Sequence, residues 1–208
     1  MSDCLIIFTR YPEPGKTKTR LIPALGATGA AQLQQRLTEL TLATASHLPR
    51  SIAVEVHFAG GDTQKMQDWL GQNLILRSQF SGDLGQRMAA AFREAIELGK
   101  QRVVMIGIDC PELTTDLIQK AFLQLQNNDL VLGKAVDGGY YLIGLRRFVP
   151  ELFESINWGT ETVLQQTVEK AELLNLSLAY LPTLRDLDTP EDWQYFQNFP
   201  SLNSNFES

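Results

Sequence analysis

The run Val103-Val104-Met105-Ile106-Gly107-Ile108 ends on Asp109, followed by Cys110-Pro111-Glu112. A short, β-branched, apolar run of this kind reads as a strand buried on both faces of a parallel sheet. Open α/β sheets take ligands in the crevice beyond the carboxyl ends of their strands, so Asp109 stands where a ligand is expected. A carboxylate there can hold Mg2+ or Mn2+, which take oxygen ligands and commonly bridge substrate phosphates. The same aspartate could instead cap the helix expected near Thr114, or make a turn. A second acidic pair, Asp186 and Asp188, has i, i+2 spacing and in extended chain faces one side. Asp188 is the second candidate metal ligand, with a surface turn as the alternative. Thr189-Pro190-Glu191-Asp192 is a helix start: Thr at the N-cap, Pro at N1 and an acid at N3.

Three more segments carry chemistry. Arg10-Tyr-Pro-Glu-Pro-Gly-Lys-Thr-Lys-Thr-Arg20 holds four cations, Arg10, Lys16, Lys18 and Arg20, against the single acid Glu13. Such cations make charge-assisted hydrogen bonds to phosphate. The glycine pattern of a Walker loop is absent, and a solvated basic loop is the alternative. Ser81-Gly82-Asp83-Leu84-Gly85-Gln86-Arg87 opens a long helix, and free N–H groups at a helix start suit an anion or a polar base edge. Asp83 could equally be only the helix cap. Asp137-Gly138-Gly139-Tyr140-Tyr141 sits at another strand end, where paired glycines permit close approach and Asp137 could act as a base or contact a sugar hydroxyl. A plain tight turn is the other reading.

The elements that must position these residues alternate along the chain. Strands are expected over Cys4 to Thr9, Ile52 to Phe58, Leu74 to Leu76, Val103 onward, Leu130 to Val136 and Leu178 to Leu181, with Tyr140 to Leu145 as an antiparallel return. Helices are expected over Thr28 to His47, Thr63 to Leu70, Asp83 to Gly99 and Thr115 to Leu125, near Pro150 and Thr160, and after Thr189. This alternation indicates a single-domain Rossmann-like α/β/α sandwich with a mostly parallel mixed sheet. The domain is expected to span 1–199, with a polar, frayed tail over 200–208.

Composition narrows the class. The 208 residues carry a formal net charge of −6, which argues against general nucleic-acid binding but not against a small anionic ligand. No apolar stretch approaches the roughly 20 residues of a membrane span. Cys4 and Cys110 have neither a disulfide framework nor a metal-ligand spacing, and read as small buried hydrophobes in a reducing cytoplasm. His47 and His57 form no cluster, so a His-rich zinc site is not expected.

Taken together, the chain from residue 4 to about 196 resembles nucleotide-diphospho-sugar transferases of the GT-A type. It is most similar to a small bacterial family of predicted glycosyltransferases that includes arsenosugar-biosynthesis-type members. The resemblance rests on five segments in order: Arg10 to Leu21, Gly82 to Met88, Gly107 to Pro111, Asp137 to Leu145 and Asp186 to Asp192. Ile108 departs from the small polar residue common at that place. The resemblance implies a metal-dependent transfer of sugar from a nucleotide-sugar donor to a small-molecule acceptor. It puts the metal on Asp109, with Asp188 completing the metal or acceptor site. The diphosphate would lie on Lys16, Lys18 and Arg20, with Arg10 beside them. Gly82, Asp83 and Arg87 would lie near the nucleoside, and Gly138, Gly139, Tyr140, Trp158 and Glu161 on the sugar or acceptor side. Asp137, as base, and Lys16 would be the catalytic residues. Two alternatives stay open: a nucleotidyltransferase close to the molybdopterin and phospholactate guanylyltransferases, and a silent nucleotide-sugar-binding module. Fold alone does not separate them.

Overall fold

A computed structural model describes residues 3–199 and 202 of the chain. Its centre is a seven-stranded sheet in the order β3-β2-β1-β4-β6-β5-β7. The strands are β1 (Asp3–Arg10), β2 (Ile52–Ala59), β3 (Ile75–Ser78), β4 (Arg102–Ile106), β5 (Leu130–Ala135), β6 (Tyr140–Leu145) and β7 (Leu178–Leu184). All pairings are parallel except those of β6, which runs antiparallel to both β4 and β5. The mostly parallel mixed sheet and the return strand follow the sequence expectation.

The central strands are apolar throughout because both of their faces are covered. Leu5 and Ile7 of β1 and Val104 and Ile106 of β4 point into one core. Cys4, Ile6, Val103 and Met105 point into the other. This is the period-2 alternation of a strand, with helices on both sides. The first core is closed by α1 (Ile22–Ser46), α4 (Thr115–Gln124) and α6 (Pro190–Phe196), through Leu33, Leu37, Ile118, Phe122 and Phe196. The second is closed by α3 (Leu84–Glu97) and α5 (Val163–Leu173), through Met88, Phe92, Ala95 and Ala171. The short α2 (Thr63–Leu70) lays Met66 over Val56 and Phe58 at the β2 end of the sheet. Cys4 and Cys110 are buried free thiols, as their positions suggested. Among the described residues no helix is long and apolar enough to cross a membrane.

Several boundaries moved for local reasons. Helix α1 begins at Ile22, ahead of the expected Thr28, but Gly26 is non-helical at φ 69°, ψ 168°, so the regular helix does start just beyond it. Strand β7 runs on to Leu184 through Pro182. A proline is tolerated there because β7 is an edge strand and can lack a ladder donor. Strand β4 stops at Ile106, leaving Gly107 and Ile108 to lead irregularly to Asp109. The tail over 200–208 lies outside the described residues apart from Leu202, which is buried in the first core.

A buried ionic group joins β2, β3 and α3. Glu55 receives Arg77 at 2.7 Å and lies 3.3 Å from His57 Nε2, while Arg77 also reaches Glu94 at 2.9 Å. The hydrogen bond from His57, and then that from Arg77, outweigh burial and bring the Glu55 carboxyl down to about 2. Its folded value lies below its unfolded one. The resulting stability is therefore present above about pH 5 and is lost as pH falls towards 2. The shift corresponds to about 3 kcal/mol. Glu55→Gln should accordingly destabilise the protein strongly at pH 7 and little at pH 2.5. Urea unfolding at the two pH values checks this; equal losses at both would mean that packing, not charge, holds the group.

Candidate functional site

The parallel strands put their carboxyl ends on one edge of the sheet, and antiparallel β6 starts at that edge. The chain order reverses direction between β1 and β4, which is where open α/β sheets form their crevice. A cleft of about 660 Å³ opens there. Its walls come from the loop after β1, the end of β4, the β5–β6 turn, the loop before α5 and the segment after β7.

The loop after β1 is a folded structure. Tyr11 N–H extends the ladder to Ala59, and Lys16 N–H closes a turn on the Glu13 carbonyl at 3.0 Å. Gly15 takes φ +80° in that turn. Thr17 is buried beneath it. Lys18 follows in the left-handed region, at φ 48°, ψ 43°, which turns its side chain inwards. Its ammonium lies 2.7 Å from Asp109 Oδ1 and 3.5 Å from Asp188 Oδ1, and donates to the Leu187 carbonyl. Arg20 donates to Asp188 Oδ2 at 2.8 Å. Leu187 N–H donates to the Asp109 carbonyl at 2.6 Å, so the segments after β4 and β7 are tied backbone to backbone.

Leu187 is fully buried, and Asp186 and Asp188 on either side of it both line the cleft. The i, i+2 reading therefore holds in three dimensions. Asp186 adds what spacing alone left unassigned: its Oδ1 is buried with no hydrogen-bond partner. Burial, followed by the negative charges of Asp109 and Asp137, pushes its carboxyl up to about 7 against the opposing pull of Lys18. A buried carboxylate short of counter-charge is what a cation would relieve. Among the described residues no three His, Cys, Asp or Glu side chains form a ready-made metal cage. Mg2+ and Mn2+ do not need one, because a carboxylate or two plus water and substrate phosphate complete their shell. Asp109 and Asp188, which share the Lys18 ammonium, are the two carboxylates that could ligate such an ion, with Asp186 as a further negative group beside them.

The remaining expected residues fall in distinct places. Arg10, Lys16 and Arg87 line the cleft, with Lys16 paired to Glu13 at 2.8 Å. Arg87 donates to Gln79 Oε1 and to the Asp83 carbonyl. Asp83 lies outside the lining, in a reciprocal capping box with Gln86. Gly82 borders a shallower hollow that shares Ala59, Gln79 and Arg87 with the cleft. On the opposite side Asp137, Gly139, Tyr140, Trp158 and Glu161 line the wall, while Gly138 packs behind it against the Glu161 backbone. Asp137 accepts from Gly139 N–H at 2.9 Å, and the Tyr140 and Trp158 rings meet edge to face at 6.5 Å. Burial raises the Tyr140 hydroxyl above its ordinary range, so at neutral pH it remains protonated. Thr9, Gln34 and Gln79 also line the cleft. Sequence reasoning missed them because a lone Thr or Gln carries no local signature of where a sheet will place it.

The sequence family described as "Uncharacterized protein conserved in bacteria (DUF2064)" matches residues 41–160, more than half of the chain. A crystal structure described as a "putative nucleotide-diphospho-sugar transferase from Desulfovibrio desulfuricans G20" is 39% identical with a TM-score of 0.89. The match covers 99% of this chain and 90% of that one. The chain belongs to the DUF2064 family. It has the nucleotide-diphospho-sugar transferase fold. More distant structures share the fold alone. The 4-diphosphocytidyl-2C-methyl-D-erythritol synthase of Anaerococcus prevotii is 13% identical with a TM-score of 0.61, covering 93% of this chain and 94% of that one. The Rv0371c protein of Mycobacterium tuberculosis H37Rv, solved with manganese, is 11% identical with a TM-score of 0.54, covering 93% and 97%. No curated protein matches the chain.

Proposed function

We propose that this DUF2064 protein is a nucleotide-binding transferase, and specifically a metal-dependent glycosyltransferase. It would move a sugar from a nucleotide-diphospho-sugar donor to a small-molecule acceptor in the cytoplasm. The observation that carries this reading is one continuous cleft, with a cation-seeking acidic cluster at one end and an aromatic wall at the other. The assignment of the relative from Desulfovibrio desulfuricans supports the same donor class, and the manganese in the Rv0371c protein supports a divalent cation.

In this reading Asp109 and Asp188 hold Mg2+ or Mn2+, with Asp186 adding negative charge behind them. The cation would neutralise charge developing on the departing nucleoside diphosphate. Arg10, Lys16, Lys18 and Arg20 bind the diphosphate, and Arg87, with Gly82 at the adjoining hollow, frames the nucleoside end. Trp158 and Tyr140 offer an apolar face to the sugar ring. Asp137 orients the acceptor hydroxyl and takes its proton, while Lys16 supports the leaving phosphate.

Nucleotidyl transfer is the second reading, favoured by the fold shared with the cytidyl-substrate synthase. Its second substrate commonly brings an anionic phosphate, which calls for cations on the acceptor wall. Between Asp137 and Thr162 the cations are Arg146 and Arg147, and both turn to Asp129, at 3.5 and 3.6 Å, beyond the far end of β6. The wall itself carries Asp137 and Glu161. Without acceptor, slow metal-dependent hydrolysis of a nucleotide sugar to nucleoside diphosphate is expected, read by product chromatography over a panel of nucleotide sugars. Pyrophosphate release from a nucleoside triphosphate, with no turnover of any nucleotide sugar, would decide for nucleotidyl transfer.

A further inference from the structure

Lys18 keeps only 3% of its side chain exposed. Its ammonium has three N–H donors, and the acidic end of the cleft supplies three oxygens: Asp109 Oδ1, Asp188 Oδ1 and the Leu187 carbonyl. In this arrangement protein oxygens hold the ammonium. A left-handed backbone at a lysine is also a conformation that L residues hold only when the surroundings over-determine it. From this conformation the side chain reaches the two carboxylates that the proposed function assigns to the divalent cation. An ammonium 2.7 Å from Asp109 Oδ1 and a doubly charged ion on the same oxygen would repel each other at close range.

We propose that Lys18 is the resting counter-ion of the cleft, and that its ammonium leaves Asp109 and Asp188 when a divalent cation takes them. This inference rests on the metal-dependent reading above. Before donor binds, Lys18 keeps the aspartates partly neutralised and links the loop after β1 to the segment after β7. When the donor arrives, its diphosphate offers the displaced ammonium new oxygen partners within reach of the same loop. Cation and diphosphate therefore favour each other's binding, and the cation alone binds weakly. The coupling is reciprocal, as linkage requires. Lys18 acts here as a positioning residue, controlling when the aspartates become available.

The test is Mn2+ binding to the full-length protein without any phosphate compound, followed by the electron paramagnetic resonance of free Mn2+. Lys18→Met removes the ammonium, and Lys18→Gly removes it at a backbone conformation that glycine adopts freely, which covers the case of a poorly folding Met variant. Each variant is expected to bind Mn2+ about tenfold or more tightly than wild type, the scale on which a nearby charge shifts a carboxylate's proton affinity. Adding Asp109→Asn should remove the gain. A purely structural Lys18 would lower the melting temperature in both variants and leave Mn2+ affinity unchanged, which would overturn the exchange. So would wild-type protein that already binds Mn2+ as tightly as the variants, in a manner lost with Asp109→Asn; the metal reading would then survive. Absence of Mn2+ binding in every protein, with turnover insensitive to chelator, would remove the metal reading and this inference with it.

Discussion

Asp109→Asn is expected to fold normally and to lose metal-dependent turnover by on the order of 10²–10³-fold, the scale of removing one electrostatic group from a reacting centre. Folding should survive because the link between the segments after β4 and β7 uses the Asp109 backbone carbonyl, which asparagine retains. Lys18 keeps Asp188 and the Leu187 carbonyl as partners. The change also removes one of the negative charges that crowd Asp186, which offsets part of the cost of losing the Lys18–Asp109 pair. What disappears is the carboxylate at the carboxyl end of β4 that would hold the cation against the diphosphate. Asparagine keeps the shape but offers a neutral amide oxygen in place of a charged ligand. Steady-state kinetics at several Mn2+ concentrations, beside circular dichroism of the variant, give the measurement. A folded Asp109→Asn enzyme with the wild-type dependence of rate on Mn2+ would sink the assignment.

Gly138→Ala should be the most damaging of the small substitutions, costing about 2–5 kcal/mol from overpacking and backbone strain together. Gly138 sits at φ +89°, in the left-handed half of the backbone map. A Cβ there would lie 2.2 Å from the Glu161 carbonyl oxygen and 2.8 Å from its Cα. Both obstacles are backbone, so no side-chain rotation relieves them. Gly138 carbonyl also accepts from Leu164 N–H at 2.9 Å, which fastens the β5–β6 turn to the start of α5. Between them runs the loop carrying Trp158, Thr160 and Glu161 into the cleft. The substitution should therefore lower the melting temperature and raise KM for the substrate that the aromatic wall holds. Gly139→Ala is a useful control, because its nearest obstacle is the Asp137 side chain at 3.2 Å. A Gly138→Ala protein as stable as wild type, with unchanged KM, would show that this packing does not position the wall.

Much of the architecture was legible in the chain. The apolar runs of β1 and β4 announced strands covered on both faces, and their alternating residues do enter two different cores. Thr189 announced a helix start, and its side chain accepts a backbone N–H from within the first turn of that helix. Asp109 was marked by its place after a strand and Asp188 by its i, i+2 spacing from Asp186, and both line the cleft. These features are local: strand period, cap chemistry and the stop at a strand end are written within a few residues, so a sequence displays them. Tertiary structure decided the rest. It alone set the sheet order, the inward turn of Lys18 onto aspartates far along the chain, and the buried Asp186 oxygen without a partner. It also carried Glu55 and His57 of β2 together with Arg77 of the neighbouring strand β3. The reason is physical. An ion pair between residues 91 positions apart, as Lys18 and Asp109 are, depends on which strands become neighbours and how the loops between them close. Neither residue carries a local signal of that outcome.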